Sequence, residues 1–190
     1  MPYPDVQRRL TSLLKIFGVA LLYALFAHLS HLYVMSNGSG ISAVWSSSGL
    51  TLAAILIGGK RYAWSAFIGS LLMANVMEAG ALLWVNFAIA SGNALAALFG
   101  AWLLTRNNKA EPGVDTLRDF LQLIFLGGCA ASIVSALVGN TALLASGFIG
   151  PSVYLHNLFR WWMDDVLGVI LIATLILSWR KTKNMHKTSV

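Results

Sequence analysis

The stretch RWWMDDVLGVILIATLILSW, Arg160 to Trp179, closes with fourteen residues, Val166 to Trp179, that carry no ionisable side chain. A helix that crosses a bilayer takes about 20 predominantly apolar residues. The run from Tyr154 to Trp179 meets that length, and Arg180, Lys181, Lys183 and Lys187 follow it as a basic stop. Just ahead of the most apolar part stand two indoles and two adjacent acids, Trp161, Trp162, Asp164 and Asp165. Carboxylates inside a spanning helix disfavour insertion by at least a few kcal/mol, by order of magnitude, so they face a bundle interior or a wet cavity and mark functional sites by default.

The rest of the chain has the same character. Of 190 residues 57% are hydrophobic and 11% charged, and the mean hydropathy is +0.72, which excludes an ordinary soluble domain. The fold class expected is all-α, a polytopic membrane helical bundle forming one domain over residues 1–190. Six spans are read, at about 14–35, 41–59, 62–76, 81–104, 120–148 and 154–179. The third is short enough for a partly re-entrant helix. The breaks between spans are rich in Gly, Ser, Asn, Pro and charge, and all four prolines fall outside the spans. Little length remains for an extramembrane domain, and the first apolar run lacks a small-residue cleavage site.

Twelve of the thirteen lysines and arginines fall in four clusters, before the first span and after the second, fourth and sixth. With six spans all four lie on one side, so the positive-inside rule puts both termini in the cytoplasm. This also accounts for the net charge of +6 without nucleic acid. Cys129 is the single cysteine, so no intrachain disulfide is possible, and its apolar neighbours suggest a buried small hydrophobe.

On this topology the embedded polar residues gather in the outer half. Trp45 and Ser48 enter the second span, Asn75 leaves the third, Asn140 is in the outer half of the fifth, and Asn93 lies nearer mid-membrane. Arg160 stands four positions before Asp164 on one helical face, where an ion pair is geometrically natural. Asp165 points about 100° away, toward the face of Trp161. One acid would then be neutralised locally and the other left for a ligand. The alternative is that both acids bond to Ser, Asn and Trp on neighbouring helices and fix the packing. His28 and His31, one turn apart, with His156 and Glu78, are the candidates for an outer metal or haem site; otherwise no metal is expected, and the sequence points to no particular cofactor.

The order Trp45-Ser-Ser-Ser-Gly49-Leu50, Gly69 to Asn75, Gly92-Asn93 and Trp161 to Gly168 resembles the bacterial membrane-associated sensor domain of the first MASE type. That family's motif Trp-Trp-x-Gly-Asp-x-x-Gly matches Trp161, Trp162, Asp165 and Gly168. Ser46 and Ser47 stand where the family usually has prolines, and Asp164 where it has glycine. The resemblance covers most of the chain and implies a sensory module of the bacterial inner membrane, fused at its cytoplasmic end to a diguanylate cyclase, phosphodiesterase or histidine kinase. Typical members continue through about two more spans, so the sequence reads as a short form lacking the output domain.

The function expected is therefore a receptor module that senses a ligand or a membrane condition and signals inward, with no enzymatic activity of its own. Asp165 is the expected central polar group, Arg160 and Asp164 its electrostatic frame, and Trp45, Ser48, Asn75, Asn93, Asn140, Trp161 and Trp162 the surrounding polar and aromatic wall. The partners implied are the lipid bilayer, a cytoplasmic output domain or protein, a small ligand and a second copy in a homodimer. A small-solute transporter or substrate-binding transporter subunit is the alternative. Catalysis would need a second acidic motif or a nucleophile with its base, which the sequence does not offer.

Overall fold

The computed structural model describes residues 3–37, 44–76, 82–106 and 114–180. Six helices account for nearly all of them: α1 (Tyr3–Asn37), α2 (Ser46–Gly58), α3 (Ala63–Val76), α4 (Leu83–Thr105), α5 (Leu117–Ala145) and α6 (Pro151–Arg180). Four of these, α1, α4, α5 and α6, are long and apolar enough to cross a membrane. With 13 and 14 residues, α2 and α3 reach only about 20 Å each at 1.5 Å per residue, short of a hydrocarbon core of about 30 Å. They are joined at Gly59, which takes φ +91°, and by the 3-10 turn Lys60–Tyr62. The expected second and third spans thus correspond to the two shorter apolar helices on either side of this turn. Two prolines stand at helix starts, Pro4 ahead of the candidate span Val6–Tyr33 and Pro151 as the first residue of the span Pro151–Arg180. Pro4 lies in the first turn of α1 and Pro151 opens α6, positions where the missing N–H had no intrahelical partner to lose.

Small residues make up much of the buried interior, and many large apolar side chains lie on the outside. Ala20, Ala27, Ala53, Ala66 and Ala90 are wholly buried, while Leu21, Leu25, Leu29, Phe87, Leu137 and Leu175 lie outside. A bilayer supplies no hydrophobic drive between helices, so close packing of small side chains and buried hydrogen bonds hold such a bundle together. A β-carbon on Gly49 would meet the Gly168 carbonyl oxygen at 2.1 Å, and one on Gly69 the Ala20 carbonyl oxygen at 2.7 Å. At these points α2 meets α6, and α3 meets α1, backbone to backbone.

The contacts also fix direction. Gly92 packs on Val138 and Gly100 on Ala131, so α4 and α5 are antiparallel; Gly139 packs on Trp161 and Gly128 on Val166, so α5 and α6 are antiparallel too. Ser30 Oγ donates to the Val44 carbonyl at 2.8 Å and Ser47 Oγ to the Tyr23 carbonyl at 2.8 Å, which runs α2 back along α1. In the main apolar core Leu52, Ala53 and Ile55 of α2 lie against Val169, Ala173 and Leu177 of α6. Helices α2, α4 and α6 therefore run one way and α1, α3 and α5 the other. Arg8, Arg9, Lys60, Arg61, Arg106, Arg118 and Arg180 share one end of the bundle, which faces the cytoplasm by the positive-inside rule. At that end the Arg106 guanidinium sits 5.1 Å over the Trp102 ring and Arg61 5.9 Å over Tyr62.

Two helices widen into π-helical turns, α5 over Leu123–Ala130 and α6 over Val169–Ala173. Such turns occur frequently at functional sites. Here they face each other on the cytoplasmic side of the two aspartates.

Candidate functional site

The site is built on α6. Asn157, Arg160, Trp161 and Asp164 follow one another at i, i+3, i+4 and i+7, the spacing of a single helical face, and all four line a cavity of about 470 Å³. Across it α4 presents Asn86, Ile89 and Asn93, and α3 presents Ser70, Met73 and Ala74. Helix α5 contributes Asn140 and Leu143, and Trp45 closes one side at the entry to α2. Every strip repeats at three- or four-residue intervals, so one face of each helix is given over to the cavity. The cavity begins toward the outer ends of the helices: Asn86 lies about 5 Å along α4 from Leu83, and Asn93 about 15 Å.

Two buried acceptors in this cavity have no hydrogen-bond partner, Asp164 Oδ1 and Asn140 Oδ1. Asn140 is 0% exposed, and its Nδ2 donates to the Tyr154 carbonyl at 2.8 Å, which aims the amide and leaves its oxygen unpaired. Arg160 donates no hydrogen bond to Asp164 Oδ1, which has no partner. Both side chains line the cavity, and the Arg160 charge acts on Asp164, in keeping with their four-residue spacing on one helical face. Trp161 lies on Gly139, where a β-carbon would fall 2.5 Å from its six-membered ring. The glycine is what lets the indole stand in the wall.

Asp165 is elsewhere. Only 2% exposed, it accepts a hydrogen bond from Ser48 Oγ of α2 and one of 2.5 Å from Ser135 Oγ of α5. Its carboxyl borders a separate void of about 20 Å³, with Tyr23, Ser48, Thr51, Asn93 and Ser135 among the neighbours, roughly room for one water molecule. Asn93 lines both spaces and is held by hydrogen bonds from its Nδ2 to Tyr23 Oη and Ser70 Oγ, each 3.1 Å. Asp165 is thus the acid with two hydroxyl donors, and Asp164 the one with a buried oxygen that has no donor. The cause is the 100° step along the helix, which turns Asp165 toward the hydroxyls of α2 and α5 and Asp164 toward the cavity.

The other sequence candidates separate in the same way. Trp45, Asn93, Asn140, Arg160, Trp161 and Asp164 are brought together in the cavity wall. Ser48 belongs with Asp165. Trp162 turns to α5 and donates from Nε1 to the Cys129 carbonyl at 2.8 Å, inside the π-helical turn. Asn75 lies in the last turn of α3, and its side chain and Glu78 are outside the described residues. His28 and His31 are half-buried on α1 while His156 is exposed at the start of α6, and among the described residues no three His, Cys, Asp or Glu side chains gather as a metal site. Sequence reasoning missed Ser70, Asn86 and Asn157. The signal for Asn157 was its place three residues before Arg160, and for Asn86 its place seven before Asn93.

The backbone ties this site to α2. The Trp45 N–H donates to the Asp164 carbonyl at 3.0 Å, and a β-carbon on Gly168 would stand 2.0 Å from the Trp45 carbonyl oxygen. One turn of α6 thus touches the cavity with Asp164, clasps Ser48 and Ser135 with Asp165, and seats the first residues of α2. No curated protein and no solved structure matches the chain, whereas the MASE1 family matches residues 14–184, nearly its whole length. With an all-helical, membrane-type bundle and the Trp161-to-Gly168 motif at its centre, the chain belongs to the MASE1 family, the membrane-associated sensory domains of signalling proteins.

Proposed function

We propose that this chain is the sensing part of a bacterial inner-membrane signalling protein, that its stimulus is a small molecule entering the 470 Å³ cavity from the outer side, and that it has no catalytic activity of its own. The observation that carries the reading is the pair of buried acceptors, Asp164 Oδ1 and Asn140 Oδ1, left unpaired in a cavity of ligand size. Leaving a buried polar atom unsatisfied disfavours the folded state by about 1–3 kcal/mol, and a donor arriving from outside would remove that penalty. Small-molecule sites span roughly 300–1,000 Å³ and combine apolar walls with a few convergent polar groups.

Transmission follows from the double duty of the Asp164–Asp165 turn. A ligand shifts an equilibrium between bundle states only by binding one of them better. A ligand that pulls on Asp164 moves the same turn that holds the start of α2 through the Trp45 N–H and the Ser48 hydroxyl. Below it, α2 packs on the π-helical turn of α6, and α6 runs on to Arg180 at the cytoplasmic end, where a kinase or cyclic-di-GMP output would receive the movement.

The test joins the cytoplasmic end of the chain to a diguanylate cyclase domain and measures cyclic-di-GMP with Leu143→Trp, which fills the cavity from its apolar side. Output changed severalfold at equal membrane abundance supports the reading. Output equal to that of the parent fusion, with the protein still folded, overturns it.

A further inference from the structure

Resting on that sensory reading, we infer that the cavity is built for a small zwitterion with an apolar body, of the kind a free hydrophobic amino acid presents. The polar groups are of two kinds and stand apart. Arg160 carries five N–H donors and no acceptor and lines the cavity. Asp164 Oδ1 and Asn140 Oδ1 are acceptors, both buried and both without a donor. A simple anion would satisfy Arg160 and leave the two acceptors orphaned. A simple cation would do the reverse and set a second positive charge beside the guanidinium. A molecule with a carboxylate for Arg160 and an ammonium for Asp164 and Asn140 satisfies every one of them, and opposite charges on the two side chains leave the lining neutral overall, as is such a ligand.

The geometry agrees with charges set close together. Arg160 and Asp164 are four residues apart on one helix, which places their β-carbons about 5–6 Å from each other, and the two side chains can converge on adjacent groups of one small molecule. The Arg160 charge acts on Asp164, while Asp164 Oδ1 still has no hydrogen-bond donor. Arg is the residue that grips a carboxylate in two-pronged fashion. Met73, Ile89 and Leu143 supply the apolar wall for the body of the ligand, and Trp45 and Trp161 give aromatic faces, which attract an ammonium within about 6 Å of a ring centre. Asn140 is fixed by its bond to the Tyr154 carbonyl, so its free oxygen is preset and not one rotamer among several.

The test uses the full chain in lipid nanodiscs and titrates L-phenylalanine, L-leucine and L-methionine by calorimetry. N-acetyl-L-phenylalanine lacks the ammonium and L-phenylalaninamide lacks the carboxylate. At least one free amino acid is expected to bind saturably, and in the phenylalanine set each blocked derivative to bind about tenfold or more weakly, the scale of one lost charge-assisted contact. Arg160→Gln should weaken the free amino acid while leaving its amide unchanged within about twofold, and Asp164→Asn should spare the N-acetyl form in the same way. Binding by none of the three amino acids overturns the inference, as do blocked forms that bind as tightly as the parent. Because the blocked ligands are tested on the unaltered protein, a variant that fails to fold does not decide the matter. If amino acids fail yet Leu143→Trp still alters output, the ligand class is wrong and the sensory reading stands.

Discussion

Gly168→Ala tests the closest contact in the bundle. An alanine β-carbon at this position would lie 2.0 Å from the Trp45 carbonyl oxygen and 2.7 Å from its carbon, where real β-carbons essentially never come within 3.0 Å of a neighbour. The obstacle is backbone and no side-chain rotation relieves it, so α2 and α6 must part by about 1 Å. The Trp45 N–H bond to the Asp164 carbonyl, 3.0 Å long, would then stretch to about 4 Å, beyond the 2.7–3.2 Å range of such bonds. The Ser48 to Asp165 bond beside it is pulled along the same direction.

Overpacking of this sort destabilises by about 1–3 kcal/mol, and each lost hydrogen bond adds about 0.5–1.5 kcal/mol. A total of about 2–5 kcal/mol corresponds to a fall in Tm of about 5–15 °C for a chain of this size. The assay is thermal unfolding of the detergent-solubilised chain, followed by the fraction that remains monodisperse. Gly18→Ala in α1 is the control, because a β-carbon there meets nothing within 4 Å. In a helix interior alanine is preferred to glycine by about 0.5–1 kcal/mol, so that variant should hold its Tm or gain a few degrees. If Gly168→Ala melts within about 2 °C of the parent, α2 and α6 do not meet backbone to backbone and the coupling drawn through this turn fails with them.

Asp165→Asn keeps the shape but sets an amide donor against one of two serine donors; it should destabilise by about 1–3 kcal/mol, and combining it with Ser135→Ala should give less than the sum of the two single changes, read by a double-mutant melting cycle. Trp162→Phe removes the indole donor to the Cys129 carbonyl and should lower Tm by about 1–6 °C, with output from the cyclase fusion compared at a temperature where both proteins are folded. Asn93→Leu deletes the donor shared by Tyr23 and Ser70 and should both destabilise, by about 1–3 kcal/mol, and raise the exposure of Tyr23, measured by iodide quenching in a variant stripped of its tryptophans.

The bundle was legible because a bilayer imposes length and sidedness that composition alone records. Basic clusters every second span, apolar runs of about 20 residues and breaks at glycine and proline gave six helices with both ends on one side. What they could not give was depth. Run length does not fix where a helix begins, so the second span reads from residue 41 whereas α2 starts at Ser46 and ends where Gly59 turns the chain. The π-helical turns were invisible for a similar reason, because LIFLGGCA and VILIA are as apolar as any regular helix.

The two aspartates show where helical arithmetic stops. Rotation by 100° per residue told that Asp164 and Asp165 face different ways, but not what stands on either side. That depends on which neighbour brings hydroxyls close, and Ser48 and Ser135 are 117 and 30 residues from Asp165 along the chain. Serines in apolar helices read as packing residues until a carboxyl is found between them. The family motif carries the acid at position 165 and a glycine at 164, and the structure gives that difference a physical meaning. The buried acid joins α2, α5 and α6 and belongs to the architecture, whereas Asp164 adds an unpartnered carboxyl oxygen to a cavity whose other polar side chains include Ser70, Asn140 and Arg160. Asp164→Gly would keep the clasp and lose the carboxylate while Asn140 Oδ1 stays in place, so it is expected to weaken the ammonium contact of a zwitterion and to spare the N-acetyl form, read by the same calorimetric titration.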